Sequence, residues 1–126
     1  MSEQTNKAVV RAVLDALDRQ DLEALREHPG LYETVQYIPN MWAAFPDMRH
    51  TVELQFADGN MVATCVEVRG THQGAFMGAA PSGRDVSFLV LMMNRVEDGK
   101  IVLHYGLPDW MAILPPIGVM PDLAPA

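Results

Sequence analysis

The order of apolar patterns along the chain predicts an α+β fold, a cone-shaped, curved antiparallel sheet wrapped on N-terminal helices. Three observations predict it. Apolar residues repeat every three or four positions as far as Phe45, the period falls to two from Val52 onward, and Asp-Gly dipeptides at 58–59 and 98–99 punctuate the second part.

Taking the elements in order, Val9, Val10, Val13, Leu14 and Leu17 form one apolar face, so residues 5–19 read as an amphipathic helix. Asp21 is placed to cap a second short turn, DLEALREH, which runs into the breaker His28-Pro29-Gly30. Val35, Ile38, Trp42 and Phe45 recur at helical steps and predict another helix, ended by Pro46 because the residue before proline avoids helical angles. Val52, Leu54 and Phe56 then alternate with polar neighbours, Asp58-Gly59 predicts a tight hairpin, and residues 61–69 form the return strand. GTHQGAFMGAAPSG, rich in glycine, reads as a long loop of the kind that carries function. A second hairpin follows, RDVSFLVLMMNRVE and KIVLHYG about Asp98-Gly99, closed by Pro108. Residues 1–118 are expected to form one domain, with 119–126 as a Pro-rich docking or poorly ordered tail.

With 126 residues, 49% hydrophobic and 20% charged, the composition is globular. No apolar run reaches the length of a membrane helix and the N-terminus lacks a signal-peptide pattern, so a cytoplasmic protein without membrane contact is expected. The net charge of −7, with scattered Lys and Arg, argues against nucleic-acid binding. Cys65 is the single cysteine, and the four histidines show no paired spacing, so no disulfide, structural metal or cofactor is expected. SFLVLMMN is apolar on both faces, and a homodimer through the sheet would cover the outer one.

His104 is the main candidate for chemistry. A two-residue turn at Asp98-Gly99 would set Met93 opposite His104, Arg95 opposite Val102 and Leu91 opposite Gly106. In that setting the histidine reads either as an acid/base or as a hydrogen-bonded residue at a pocket edge. Trp42, Phe45, Leu54, Phe56, Phe76, Met77, Met93 and Tyr105 are the candidates for an apolar ligand surface, although Trp42 and Phe45 read as core residues before ligand platform.

The stretches AAFPDMRHTVE, GNMVATCVEVRGTHQGAFMGAAPSGRDVSF and NRVEDGKIVLHYGLPDWMAIL resemble the SnoaL-like polyketide cyclase (ester cyclase) family of the nuclear-transport-factor-two-like superfamily. The resemblance covers residues 5–118. Its most specific part is Gly70-Thr71-His72-x-Gly74 with Gly78, Pro81, Ser82 and Gly83, joined by Phe45-Pro46-Asp47 and by residues 97–101. It implies a cone-shaped α+β barrel with a deep apolar cavity, commonly dimeric, and cofactor-free aldol closure of a hydrophobic, carbonyl-containing small molecule. His72 would be a donor from the long loop. Many relatives read histidine, tryptophan, aspartate at the strand end where this chain has His104-Tyr105-Gly106, so the usual carboxylate is absent and Asp109 is the reserve. The N-terminal region also reads as shortened beside the family, which leaves a noncatalytic binding or dimerisation module as the alternative to an enzyme.

Overall fold

The structure, a computed structural model, describes residues 2–119. Helix α1 (Glu3–Arg19) begins earlier than its apolar face does, because the Ser2 hydroxyl accepts the Thr5 N–H while Thr5 Oγ1 accepts the Ser2 N–H. Its buried face carries Val10, Val13, Leu14 and Leu17. Helix α2 (Leu22–Arg26) is capped by Asp21, whose carboxylate accepts the Ala24 N–H, as the sequence predicts. A 3₁₀ turn at Pro29–Leu31 leads into α3 (Thr34–Ala44), which accommodates Pro39 and stops at Phe45 ahead of Pro46.

Strands β1 (Arg49–Asp58), β2 (Met61–Thr71), β3 (Asp85–Glu97) and β4 (Lys100–Pro108) form one antiparallel sheet in that order. The sheet is open: β1 and β4 are its edges, so the cone is completed by helices rather than by strand pairing. A short helix α4 (Trp110–Ile113) follows β4. The core lies between the helices and the inner face, with Val62, Val66, Val68, Val86, Phe88 and Val96 from the sheet against Leu14, Leu17, Ile38, Phe45 and Ile113. The predicted tail at 119–126 falls almost wholly outside the described residues.

Two details of the hairpins differ from the sequence reading. In the first, Asp58 pairs with Met61, so the turn residues are Gly59-Asn60, with positive φ at Gly59, the arrangement of a type II′ turn. In the second, Asp98 and Gly99 both have positive φ and do form the two-residue turn, but the register then slips: Val96 faces Ile101 whereas Arg95 faces Leu103, leaving Val102 as a bulge. The expected pairs are therefore corrected. His104 lies opposite Asn94, Met93 opposite Tyr105, Leu91 opposite Leu107 and Arg95 opposite Leu103.

The bulge lies directly against Gly30. A Cβ there would lie 2.7 Å from both Leu103 N and Val102 C, so the 3₁₀ turn presses its backbone onto β4 where the extra residue sits. Because side chains alternate with a period of two, one inserted residue exchanges the faces of everything beyond it. His104 and Gly106 thus turn inward with Met92 and Asn94, and Tyr105 turns outward with Met93.

Candidate functional site

Between α1, α3, α4 and the inner face of the sheet lies a cavity of about 530 Å³. Its walls are mostly aliphatic and thioether groups, including Leu17, Ile38, Met41, Met48, Val66, Val90 and Met92. Phe76, Met77 and Trp110 border it near solvent, and Phe76 stacks on Trp110 with ring centroids 6.4 Å apart. Polar groups in the lining are few: His50, His104, and the α3 residues Thr34, Tyr37 and Asn40. Among the described lining residues none is acidic or basic in the Asp, Glu, Lys, Arg sense.

His104 is held from behind. Its Nδ1 lies 2.7 Å from Oδ1 of Asn94, a fully buried residue on the facing strand; in this amide orientation, which leaves Asn94 Nδ2 without a partner, Nδ1–H donates and the Nε2 lone pair is the acceptor. Desolvation pushes the imidazole pKa below its usual value, with the Glu33 carboxylate pulling weakly the other way, so the ring is neutral at neutral pH. Gly106, two residues on, leaves room for the ring edge: a Cβ at that position would sit 3.1 Å from Nε2.

His50 is the second histidine of the lining, and nothing in its sequence context marks it. Its Nδ1 lies 2.7 Å from Oδ1 of Asp18 near the end of α1, and the same oxygen accepts the His50 backbone N–H at 3.0 Å. Strand alternation could have shown that His50 shares a face with Val52. The partner 32 residues upstream could not be read, because it depends on how α1 crosses β1.

The remaining predicted residues are placed as follows. His72 is fully buried and does not line the cavity; its Nδ1 accepts the Ser82 N–H at 3.1 Å and faces the Ser82 hydroxyl at 2.8 Å, and its ring packs on Phe45. The neighbouring motif residues do related work. Asp47 accepts both the backbone N–H and the hydroxyl of Thr71 at 2.7 Å, hydrogen bonds that hold its carboxyl below the usual range. Gly74 N–H donates to the Ala44 carbonyl, and a Cβ on Gly74 would strike Ala43 O at 2.1 Å. The motif therefore locks the long loop onto the end of α3, which sets Phe76 and Met77 over the cavity.

Asp109 is exposed, stands outside the lining and precedes α4 without a side-chain capping bond. Trp42 and Phe45 are core residues, whereas Leu54, Phe56, Met93 and Tyr105 lie on the outer face of the sheet. Of the expected ligand surface, the cavity gathers Phe76 and Met77. His28 is structural in its contacts, its Nδ1 accepting the Ile101 N–H at 2.9 Å.

Comparison with known proteins fits this arrangement to a family. The profile of the SnoaL-like polyketide cyclases matches residues 2–117. The chain belongs to that family. Among solved structures it is similar to AclR of Streptomyces galilaeus, provisionally described as a hydroxylase, with 29% identity, a TM-score of 0.88, and coverage of 98% of this chain and 87% of that one. It is likewise similar to IdmH of Streptomyces antibioticus, provisionally a polyketide cyclase, with 31% identity, a TM-score of 0.79, and coverage of 90% and 99%. A SnoaL-like protein from Jannaschia, 22% identical with a TM-score of 0.82 over 94% and 95% of the two chains, shares the fold. Among curated protein sequences, none matches. No helix among the described residues is long and apolar enough to cross a membrane.

Proposed function

We propose that this SnoaL-like protein binds a hydrophobic, carbonyl-bearing small molecule in the apolar cavity and that His104 acts there as a proton acceptor. The observation that carries the reading is the Asn94–His104 pair: a buried amide fixes the tautomer, burial keeps the ring neutral, and Nε2 stands free beside Gly106. With no carboxylate in the described lining, base chemistry falls to histidine. In the step envisaged, a C–H bond α to a carbonyl breaks, its proton passes to Nε2, and the enolate oxygen is met by hydroxyl or amide donors from Thr34, Tyr37 or Asn40 on the α3 wall. The enolate carbon then attacks a second carbonyl, or is reprotonated elsewhere, and the imidazolium returns its proton. Aldol cyclisation and isomerisation share this first half.

A direct test uses 1-tetralone, an apolar ketone with exchangeable α-protons, and follows their replacement by deuterium by NMR. The full chain should accelerate exchange over buffer, and His104→Phe should abolish the acceleration while remaining folded. Wild-type protein no faster than buffer, or an unimpaired variant, sinks the base assignment. The absence of a strand-end carboxylate favours the alternative, a noncatalytic binding module; binding of 1-tetralone without exchange would select it.

The outer face of the sheet supports a homodimer. Leu54, Cys65, Leu91 and Leu107 form one row across all four strands and Phe56, Ala63, Met93 and Tyr105 the next. The large side chains of these rows are 44–71% exposed in the single chain. A continuous apolar band of this kind is characteristic of an interface rather than of a solvated surface, and a second copy presents the same band.

A further inference from the structure

The two cavity histidines stand at diagonally opposite corners of the sheet. On the inner face His50 shares a row with Val68 and Phe88, whereas His104 shares one with Asn94, Val62 and Ala57. Phe88 and Asn94 are six residues apart on β3, about 20 Å at roughly 3.3 Å per residue, and β1 and β4 are separated by three inter-strand steps of about 4.8 Å. Curvature and the inward reach of the rings shorten this span, but not to the ~3 Å at which two groups share one proton. His50 and His104 therefore do not act on the same bond as an acid/base couple.

Both rings nevertheless leave the same atom to a ligand. Asp18 at His50 and Asn94 at His104 each accept from Nδ1–H, so in both rings Nε2 is the nitrogen without a partner among the described residues. Between them the floor is apolar, with Val66, Val68, Val90 and Met92. The His50 side chain is only 9% exposed, so it is a sheltered group and not a surface one.

Resting on the proposal that the cavity holds the ligand against His104, we infer that His50, backed by Asp18, is a second ligand-contacting group, and that the ligand is elongated, with polar groups at both ends of an apolar body. The carbonyl-bearing end meets His104, and the other end places a hydroxyl, which can donate or accept, against Nε2 of His50. A fused-ring or extended chain with separated hydroxyl groups fits; a small ketone with one polar end occupies only half the site. If the Asp18–His50 pair merely clamped α1 to β1, Nε2 of His50 would be indifferent to any ligand.

The experiment compares 2,6-dihydroxyanthraquinone, with hydroxyls at opposite ends, and 2-hydroxyanthraquinone, with one. Imidazole ¹⁵N spectra of the wild-type full chain are recorded with each probe, and affinities are read from quenching of tryptophan fluorescence. The dihydroxy probe should move the Nε2 resonances of both His50 and His104, and His50→Phe should weaken it about tenfold while leaving the monohydroxy probe within about twofold. A dihydroxy probe that moves His104 alone and binds His50→Phe undiminished overturns the second contact and leaves the His104 reading standing. Probes that move neither ring overturn both. The wild-type spectra decide the matter even if His50→Phe does not fold.

Discussion

Gly106 and His104 are fitted to each other: a Cβ on Gly106 would approach Nε2 of His104 to 3.1 Å and Cε1 to 3.5 Å. The histidine therefore occupies, in part, the space that a side chain at 106 would need. This changes the meaning of the missing carboxylate. A strand-end acid here would not simply be added to the site; it would press on the imidazole and give Nε2 a charged partner.

Gly106→Ala should accordingly cost little stability, within about 1 kcal/mol in urea unfolding, since an alanine suits a strand better than glycine while the ring must shift by a few tenths of an ångström. Gly106→Asp should raise the pKa of His104 above its wild-type value by setting a carboxylate beside Nε2. Imidazole NMR titration reads this directly. Coincident His104 titrations in the two proteins would show that Nε2 does not stand beside position 106.

Acid should weaken the fold through two histidines. Burial lowers the pKa of His104, and burial together with the Lys100 ammonium lowers that of His28, against opposing pulls from Glu33 and Glu27. Both folded-state values lie below the ordinary 6.5. The unfolded chain takes up these protons first as the pH falls, so the stabilising contribution is whole above the unfolded value and is lost between it and the lower folded values. At His28 the reason is local, because protonated Nδ1 cannot accept the Ile101 N–H. The urea midpoint should fall between about pH 7.5 and about pH 5.5, and His28→Gln, which keeps an acceptor but does not titrate, should show a smaller fall. Equal slopes in both proteins would remove His28 from the account.

The sequence made the fold readable wherever a local rule governs it. Asp21 as a cap, Pro46 as a helix stop and Asp98-Gly99 as a turn each act over two to four residues, and each is found in place. Ser2 is equally local, but its capping partner Thr5 departs from the usual Glu or Gln, so the sequence carries no standard capping-box signature there. The candidate site was less legible because it depends on long-range contacts. The bulge at Val102, packed against the backbone of Gly30, turns His104 toward Asn94 and sends Met93 and Tyr105 outward. Asp18 reaches His50 across the α1–β1 crossing. Neither meeting leaves a spacing in the sequence that could have been recognised.

Gly30 should therefore be intolerant of substitution. In Gly30→Ala the new methyl would stand 2.7 Å from two backbone atoms of β4, and no rotamer change relieves a contact with backbone. We expect a loss of about 1–3 kcal/mol in urea unfolding, well beyond that of Gly106→Ala. A cost as small as that of Gly106→Ala would mean that the turn does not press on the bulge.

The outer rows make a prediction about assembly that is independent of the cavity. Leu91 sits mid-sheet, flanked by Cys65 on β2 and Leu107 on β4, and is 57% exposed in the single chain. Leu91→Lys places an ammonium at the centre of the band; in a monomer it would reach water at little cost, but across a two-fold interface two such charges would meet in a desolvated patch. Light scattering after size exclusion should give twice the chain mass for the wild type and one chain mass for Leu91→Lys, with unchanged circular dichroism. A wild type that elutes as a single chain, or a variant that still dimerises, would mean that a second copy does not cover this face. Because the inner face is untouched, 1-tetralone exchange by the monomeric variant would then separate what the cavity does from what dimerisation adds.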